Sequence, residues 1–478
     1  MTMRLSVETM RDRFYAADPA YNGLFLTGVL TTGIYCLPSC TARKPKVENI
    51  RFFDSEDDAV GAGLRPCKRC KPDGFYRGED RDLEVVCGLA DLVRRDPAAF
   101  ADASAMAAEA GVGATKLSIL FRDAYHTSPA AFLTQARIDA VCAWLRDPGN
   151  AVAEAGYAVG FESASAFHEN FRRITGMTPG EYRRLGSTNV FSIALPEGYR
   201  TDDVLRFIGR DANSRTERVS GHGFAKTFTH AAGTAVLNVA FEGSDARCSV
   251  SGNGPLGPDL RYFAHHVALR LLGLEEDIGA FERRATREPE IARLIAGRQG
   301  LRIPLTTDVF EGLVWAIVGQ QVNLTFAATL RRALSELCGA EAGDGMLAPP
   351  TAQAVASLDV ADLTRRQFSN RKAEYLIGAA RQVVAGILDI EAMAMRAAPL
   401  VSKELLAVRG LGPWAVNYLM LRGCGFADCV PFGDTGLTSG LQRFFDLAAR
   451  PDRDETERLM EAFRPHRSLA TMHLWRIE

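Results

Sequence analysis

Short apolar runs bounded by turn residues occupy the start of the chain. They are GLFLTGVLTTGIYCL (23–37), ENIRFFDS (48–55) and RPCKRCKPDG (65–74), and they predict strands and turns over residues 1–78. From Leu83 to Leu185, apolar residues recur instead at helical spacing, and Gly, Asn and Pro separate the segments. That pattern predicts a block of short amphipathic helices.

The helical block contains an internal repeat with a spacing of 50 residues: Phe121-Arg122 recurs as Phe171-Arg172, and Ser128-Pro129 as Thr178-Pro179. Each copy predicts a helix, a Gly-containing turn, a second helix and a third helix that begins at Pro. Two helices joined by such a turn are typical of a helix-turn-helix. A plain helical bundle is the alternative that composition leaves open.

A polar break at residues 187–189 ends this block. Alternating apolar and polar positions at 224–230 and 234–241 predict strands, and residues 202–210 predict a helix. From about residue 260 to the end, the periodicity is again mostly helical.

Composition and charge limit the class of protein. The 478 residues allow three or four domains. Lys and Arg number 56 against 58 acidic residues, which excludes a uniformly basic surface but permits local patches for nucleic acid. No apolar stretch is long enough for a membrane span, and the N-terminal MTMRLSVETMRDR carries charges where a signal peptide is apolar. We therefore expect a cytoplasmic protein without a membrane partner.

Four of the ten cysteines form a cluster, Cys36-x3-Cys40-x26-Cys67-x2-Cys70. Two close pairs separated by a longer segment can present four thiolates tetrahedrally, which suits Zn²⁺. The other six cysteines are expected to be small core residues. Basic residues surround the cluster and favour contact with phosphate; the expected DNA contacts are Arg43, Lys44, Lys46, Lys68 and Arg69.

The segment TTGIYCLPSCTARKPKVENIRFF, followed by RPCKRCKPDGF, closely resembles the zinc-binding, methyl-accepting domain of the Ada family of alkylation-response regulators. The resemblance covers nearly all of residues 10–78. It implies that Cys36, Cys40, Cys67 and Cys70 bind one zinc ion, and that Cys36 accepts a methyl group from a methyl phosphotriester in DNA. The repeat that follows resembles the AraC-type DNA-binding domain that accompanies it.

Thiolate chemistry is consistent with such a role, because a zinc-bound thiol is deprotonated and nucleophilic at neutral pH. Four thiolates on Zn²⁺ carry a formal charge of about −2, and methylation of Cys36 reduces it to about −1. Weaker repulsion of nearby phosphates is then expected to raise DNA affinity. Repair would thereby switch on DNA binding by a transcriptional activator.

Two segments near the C-terminus contain a second pair of motifs that bear on function. LLAVRGLGPWAVNYLMLRG (405–423) predicts two helices joined by a hairpin at Gly410-Leu411-Gly412, whose N–H groups can bind a phosphate. CVPFGDTGL (429–437) places Asp434 after a Gly/Pro turn, 24 residues beyond Gly410. A hairpin of this kind alone is more often a simple helix–helix turn. Its combination with a Gly/Pro-Asp loop at this distance makes the indication of DNA binding strong.

Together these segments resemble the helix-hairpin-helix, Gly/Pro-Asp superfamily of DNA glycosylases, and most closely the AlkA-type 3-methyladenine glycosylases, over about residues 190–478. The resemblance implies that Asp434 is the catalytic carboxylate. It also implies that Trp414, Tyr418, Trp475 and Phe207 line the base pocket, although any one of these aromatic residues alone would be expected in a core.

The resemblance further implies that Gly410 and Gly412 contact DNA. In AIVGQQVNLTF (316–326), Gln321 occupies the position of the side chain that intercalates into the DNA stack, and it is polar where the best-known member is aliphatic. The backbone carbonyls of Leu406, Val408 and Leu411 would hold a monovalent cation.

Residues that are missing from the sequence indicate the type of reaction. Strand-cleaving members of the superfamily carry Lys where this chain has Trp414, so a monofunctional enzyme that leaves an abasic site is expected. No Cys follows Cys429, so no iron–sulfur cluster is expected. None of the other six cysteines has the Pro-Cys-His-Arg context of a guanine-O6 methyltransferase.

The expected fold is multidomain and mostly α with α+β parts. It comprises a small zinc-binding α/β domain (1–78), an AraC-type double helix-turn-helix (79–187), a mixed α/β AlkA N-terminal domain (188–275) and all-α helix-hairpin-helix glycosylase domains (276–478).

The leading hypothesis is a bifunctional adaptive-response protein. It would be a methylphosphotriester-sensing transcriptional activator, methylated irreversibly at Cys36, fused to a DNA-3-methyladenine glycosylase II type enzyme. Its expected partners are alkylated and promoter double-stranded DNA and RNA polymerase. One alternative is a methylation-sensing transcription factor whose glycosylase half is inactive and only grips DNA. Another is a pure enzyme with a structural zinc module.

Overall fold

The structure is a computed structural model that describes residues 5–78 and 80–477. Residues 1–4, Glu79 and Glu478 lie outside the described residues, and with them the outer ends of the predicted domains, the junction at 78/79 and the first four residues of the N-terminal segment. The chain divides into two compact units, Met1–Val85 and Val86–Glu478. Among the described helices, none is both long and apolar enough to cross a membrane.

The first unit is built on a four-stranded sheet with the strand order β3-β1-β2-β4. Its strands are β1 (Leu26–Val29), β2 (Ile34–Cys36), β3 (Ile50–Phe53) and β4 (Arg65–Pro66), and its helices are α1 (Val7–Tyr15), α2 (Glu56–Gly61) and α3 (Pro72–Tyr76). The strand β4 pairs in parallel with β2. This pairing brings the ends of the two strands together. Cys36 is the last residue of β2, and the other three clustered cysteines follow the ends of β2 and β4.

The helical block at the start of the second unit contains seven α-helices. They are α4 (Arg81–Arg95), which begins in the first unit, α5 (Ala103–Glu109), α6 (Ala114–Tyr125), α7 (Pro129–Trp144), α8 (Val152–Ala158), α9 (Ala164–Thr175) and α10 (Pro179–Arg184). The predicted repeat is present as two helix pairs, α5–α6 and α8–α9. Phe121 and Phe171 are both fully buried, and Ser128 and Thr178 both cap the next helix ahead of a Pro.

The two copies of the repeat also contact the rest of the second unit at equivalent positions. His126 and Gly176, 50 residues apart, end α6 and α9 in the left-handed conformation. The Asp428 N–H donates to His126 Nδ1 over 3.2 Å. At the other copy, the Ala194 N–H donates to the Gly176 carbonyl over 2.8 Å, and a Cβ at residue 176 would lie 2.5 Å from Ile193 Cγ2.

A five-stranded antiparallel sheet of order β5-β9-β8-β7-β6 follows. Its strands are β5 (Val190–Ala194), β6 (Glu217–Ser220), β7 (Gly223–His230), β8 (Gly233–Glu242) and β9 (Asp245–Ser251), accompanied by α11 (Thr201–Ile208) and α12 (Pro258–Leu271). One hydrophobic core contains residues from the second helix-turn-helix, such as Phe171, and from the sheet, such as Phe228. His265 Nε2 also lies 2.8 Å from the Thr175 carbonyl. The boundary predicted at 187/188 therefore divides residues that share one core.

Removing residues 1–187 is expected to destabilise the remaining protein, because it would expose the buried Ile193 and Tyr262. Loss of several buried side chains corresponds to a fall in melting temperature of about 10 °C or more. The matched control is removal of residues 1–78, which belong to the other compact unit, and it is expected to change the melting temperature little. Equal melting temperatures for the two truncated proteins in a thermal unfolding experiment would contradict the shared core.

The last block is mostly helical, as predicted. It comprises α13 (Ile278–Arg284), α14 (Pro289–Ile295), α15 (Val309–Val318), α16 (Leu324–Cys338), α17 (Ala352–Ala356), α18 (Val360–Thr364), α19 (Asn370–Val384), α20 (Ala398–Ala407), α21 (Pro413–Arg422), α22 (Thr435–Phe444), α23 (Arg453–Met460) and α24 (Arg467–Leu474). At Gly440 a Cβ would lie 2.3 Å from the Leu474 carbonyl oxygen, so glycine allows α22 and α24 to pack closely.

One β-hairpin interrupts this block, which the sequence analysis expected to be all-α. It consists of β10 (Glu341–Gly343) and β11 (Met346–Leu347). Asp344 and Gly345 both have positive φ, of 55° and 68°, which is typical of an Asp-Gly turn between two strands. The Glu341 carbonyl accepts a hydrogen bond of 3.0 Å from the Thr234 hydroxyl on β8. The hairpin therefore depends on a neighbouring sheet that local periodicity does not reveal.

Candidate functional site

The four clustered cysteines converge in the first unit. Cys36 ends β2, Cys40 follows in the next turn, and Cys67 and Cys70 follow β4. Their Sγ atoms all lie within 4.8 Å of one another. Thiolates bound to one zinc ion at about 2.3 Å lie about 3.8 Å apart, so the group fits a single tetrahedral Zn²⁺. The Leu37 N–H also points to Cys70 Sγ over 3.4 Å.

The basic residues around this cluster differ in their surroundings. The Lys44 ammonium donates to the carbonyls of Cys40, over 2.7 Å, and Phe14, and burial lowers its pKa. Arg69 donates to the Thr41 carbonyl over 3.1 Å. Both side chains thus hold the turn that carries Cys40, a role that sequence reasoning missed. Arg43, Lys46 and Lys68 are exposed, and DNA contact by any of the five stays a prediction.

Asp434 lies at the N-terminus of α22, in the second unit. One carboxylate oxygen accepts from the Leu437 N–H over 2.8 Å and from Trp475 Nε1 over 2.8 Å. The other oxygen accepts from Trp414 Nε1 over 3.1 Å. An ionised carboxylate only accepts hydrogen bonds, which matches this set of three N–H donors. The carboxylate is therefore held in a fixed orientation between two indole rings.

Two aromatic side chains extend from this carboxylate along α21. The rings of Trp414 and Tyr418 are stacked, with centroids 5.3 Å apart and an angle of 20° between planes. They lie four residues apart, which places them on one face of the helix. The structure thus brings Asp434, Trp414, Tyr418 and Trp475 together as the resemblance implied, although their roles in binding a base remain to be tested.

Phe207 has different neighbours. It packs against the core that contains the sheet, whereas Trp414, Tyr418 and Trp475 pack against the core of the helical block. Its ring centroid lies 3.9 Å from the guanidinium carbon of Arg422 and 4.3 Å from that of Arg210. Sequence reasoning missed both arginines. The spacing of residues 414, 418 and 422 on one helix face is the signal that would have indicated Arg422.

The hairpin between α20 and α21 is closely supported. Gly410 has a φ of +96°, and a Cβ there would lie 2.2 Å from the Tyr375 ring. Gln320 Nε2 donates to the Gly410 carbonyl over 2.9 Å. This bond holds the hairpin to the loop that carries Gln321, which is exposed and has a φ of 54°. The role of Gln321 as the intercalating side chain stays a prediction.

The backbone of this hairpin also bears on the predicted monovalent cation. The Val408 carbonyl accepts from the Leu411 N–H over 3.1 Å. A carbonyl oxygen has two lone pairs, so this bond leaves one for a cation. Cation binding by Leu406, Val408 and Leu411 is compatible with this geometry and stays a prediction.

Replacing Gly410 by Ala is expected to lower the melting temperature by about 5 °C or more, since both the positive φ and the Tyr375 ring oppose a Cβ. Gly412 is the matched control, because it has a negative φ and open space where its Cβ would lie. Gly412→Ala is expected to melt like the unmodified protein. If both variants melt alike, the hairpin does not require glycine at residue 410.

Four family models match the chain in succession. The metal binding domain of Ada matches residues 9–73, a helix-turn-helix domain matches 106–185, and the AlkA N-terminal domain matches 190–308. The model of the HhH-GPD superfamily of base excision DNA repair proteins matches residues 314–465.

Individual proteins resemble either the whole chain or one part of it. A probable bifunctional transcriptional activator/DNA repair enzyme AlkA of Mycobacterium tuberculosis is 27% identical, with 96% of this chain and 94% of that protein covered. A DNA-3-methyladenine glycosylase of Bacillus subtilis is 30% identical over 43% of this chain and 68% of its own length. The solved structure of a 3-methyladenine DNA-glycosylase from Archaeoglobus fulgidus has a TM-score of 0.53 at 18% identity and covers 60% of this chain and 97% of its own. That likeness shows a shared fold.

Proposed function

The chain belongs to the HhH-GPD superfamily of base excision DNA repair proteins, and we propose that it couples excision of alkylated bases to methylation-sensing activation of transcription. An Ada-type zinc and helix-turn-helix regulatory part is fused to an AlkA-type glycosylase. Its partner is DNA. We further propose that the DNA is both alkylated and promoter duplex, that RNA polymerase is a second partner, and that the protein acts in the cytoplasm.

The single observation that carries the glycosylase proposal is the carboxylate of Asp434 between two indole N–H groups and beside a stacked Trp–Tyr pair. A base alkylated at N3 or N7 of a purine is cationic and therefore a good leaving group. Aromatic faces attract such a cation, and a base must leave the stack to reach them. Trp414, Tyr418 and Trp475 are the side chains that we assign to this contact.

The proposed reaction breaks the N-glycosidic bond. Its electron pair leaves with the alkylated base, and positive charge develops on the sugar. Asp434 stabilises that charge and orients the water whose oxygen bonds to the sugar carbon. The water proton passes to the solvent or to Asp434. Trp414 stands where a strand-cleaving enzyme would need an amine, so the proposed product is an intact strand with an abasic site.

The proposed chemistry of the first unit is a single methyl transfer. Zinc held by the four cysteines would keep the thiol of Cys36 deprotonated. The Cys36 sulfur attacks the methyl carbon of a methyl phosphotriester, the carbon–oxygen bond breaks, and its electron pair stays on the phosphodiester oxygen. The Lys44 and Arg69 contacts fix the turn of Cys40 next to this sulfur. Because a thioether does not release the methyl group, each molecule reacts once.

The test is incubation of the full chain with randomly methylated duplex DNA. Chromatography of released bases reports the glycosylase, and mass spectrometry of the peptide with Cys36 reports methyl transfer. Release of alkylated bases without methylation of Cys36 would indicate a pure enzyme with a structural zinc module. Methylation of Cys36 without release of alkylated bases would indicate a transcription factor with an inactive glycosylase half.

Methylation of Cys36 is expected to raise affinity for a promoter duplex several-fold at low salt, because one negative charge is lost near the phosphates. The advantage is expected to shrink as salt rises, since screening acts over about 8–10 Å. Binding of methylated and unmethylated protein to one duplex, measured at several salt concentrations, checks this. The control is protein treated with unmethylated DNA. If the ratio of the two affinities does not change with salt, the electrostatic mechanism is wrong, and a rearrangement of the first unit would explain the difference in affinity.

A further inference from the structure

Arg422 is a buried cation with an unused hydrogen-bond donor. Its side chain is almost fully enclosed, with the residue only 3% exposed. Within the described part of the chain, its Nη1 has no hydrogen-bond partner. Burial lowers the pKa of the guanidinium to about 10, so the group stays protonated at neutral pH. A buried charged donor without a partner is unfavourable, because it has lost its hydration and gained no hydrogen bond in exchange.

The position of Arg422 connects it to the proposed base site. Residues 414, 418 and 422 lie at successive turns on one face of α21. Trp414 donates to Asp434 at one end of this row, and the Tyr418 ring stacks on Trp414. Tyr418 is close enough to the Arg422 guanidinium to interact with it electrostatically. The stacked rings of Trp414 and Tyr418 therefore lie between the Asp434 carboxylate and the Arg422 guanidinium.

Among the described residues, the surroundings of Arg422 provide cations and rings but no ion pair with a carboxylate. Its guanidinium carbon lies 3.9 Å from the Phe207 ring centroid, and Arg210 and Arg476 are close enough to lower its pKa further. Cation–ring contacts leave the in-plane N–H groups of a guanidinium free to donate. Buried polar groups of a folded protein nearly always have a partner. A bound ligand with an exposed acceptor is a partner that would satisfy Nη1.

We propose that Arg422 is a specificity-determining residue that donates a hydrogen bond from Nη1 to the oxygen on C6 of an extruded, alkylated purine. This inference rests on the proposed glycosylase function and deepens it by naming the class of base. A guanine-type base carries a carbonyl oxygen at C6, which accepts hydrogen bonds. An adenine-type base carries an amino group there, which donates and so opposes the arginine.

Comparing two alkylated bases of equal charge distinguishes the proposed hydrogen bond of Arg422 from a general effect of its charge. In DNA, 7-methylguanine and 3-methyladenine are both cationic, so repulsion from Arg422 acts on both. They differ at C6, where only 7-methylguanine has an acceptor. A hydrogen bond to a charged donor corresponds to a factor of about ten or more in relative release.

The experiment uses methylated duplex DNA, which contains both lesions, and compares the unmodified chain with Arg422→Met. Methionine keeps an extended apolar side chain and removes the charge and the donors. The ratio of released 7-methylguanine to 3-methyladenine is expected to fall about tenfold or more. Arg422→Lys, which keeps a charged donor, is expected to give an intermediate ratio. An unchanged ratio, with both releases lowered together, would make Arg422 a structural residue and overturn the inference.

A second measurement needs no variant and remains decisive if Arg422→Met does not fold. Free 7-methylhypoxanthine and free 7-methyladenine are neutral bases that differ at C6 and the adjoining N1. As inhibitors of base release by the unmodified chain, the first is expected to act at about tenfold lower concentration. Equal inhibition would overturn the inference while leaving the glycosylase intact. Absence of any base release by the unmodified chain would instead overturn the proposed function.

Discussion

Asp434→Asn is expected to lower the rate of base release by about 1,000-fold or more, because removal of a preorganised charge beside the reacting sugar has effects of this order. The positive charge that develops on the sugar would lose its counter-charge. Asparagine also offers one acceptor oxygen where the carboxylate accepts from Trp414, Trp475 and Leu437. One indole N–H would then face an amide donor. Methylation of Cys36, in the other compact unit, is expected to continue unchanged.

The matched control for this substitution is Asp452→Asn. Asp452 also caps a helix, α23, and accepts from the Glu455 N–H over 2.9 Å. It is exposed, and among the described residues its side chain has no hydrogen bond from a tryptophan. This variant therefore undergoes the same chemical change at a helix N-terminus and is expected to release bases normally. Near-normal release by Asp434→Asn in the same assay would remove Asp434 from its catalytic role.

Cys40→Ala is expected to unfold the first unit, whose stability we attribute to zinc. One of its small hydrophobic cores consists of Phe14 and Phe25 packed against Cys36, Cys40 and Cys67. A core of this size supplies little free energy by itself, whereas structural zinc contributes about 10–16 kcal/mol in small domains. Loss of one thiolate is expected to reduce zinc content well below one ion per chain after dialysis against a chelator. Proteolysis within residues 5–78 is expected to accelerate at least about tenfold.

Cys338→Ala is the control for that experiment. Cys338 is half-buried on α16, and its thiol donates to the Leu334 carbonyl over 3.4 Å. It is expected to retain zinc and to resist proteolysis like the unmodified chain. One zinc ion per chain and an intact first unit in Cys40→Ala would contradict the assignment of four cysteine ligands.

Local sequence determined the features whose partners lie nearby along the chain. The spacing of Cys36, Cys40, Cys67 and Cys70 indicated a metal site. Short turns bring the two cysteines of each pair together, and the parallel pairing of β2 with β4 then brings the two pairs together. The repeat of 50 residues indicated two helix-turn-helix units, because helix caps and apolar periodicity are local properties. The position of Asp434 at the start of a helix was predictable for the same reason, because the Gly/Pro turn before it and the helix after it are both encoded within a few residues. Its catalytic role rests on the resemblance and stays a prediction.

Tertiary structure alone decided what meets across long separations. Helical spacing places Arg422 on the same face as Trp414 and Tyr418, but only the packing of α11 against α21 places Phe207 over its guanidinium. Among the described residues, Nη1 has no hydrogen-bond partner. Likewise, only the fold shows that the ammonium of Lys44, for which DNA contact stays a prediction, donates to two carbonyls. The physical reason is the same in both cases. A sequence pattern fixes which face of an element is apolar, but a buried polar side chain takes its partners from whichever elements the fold packs against it.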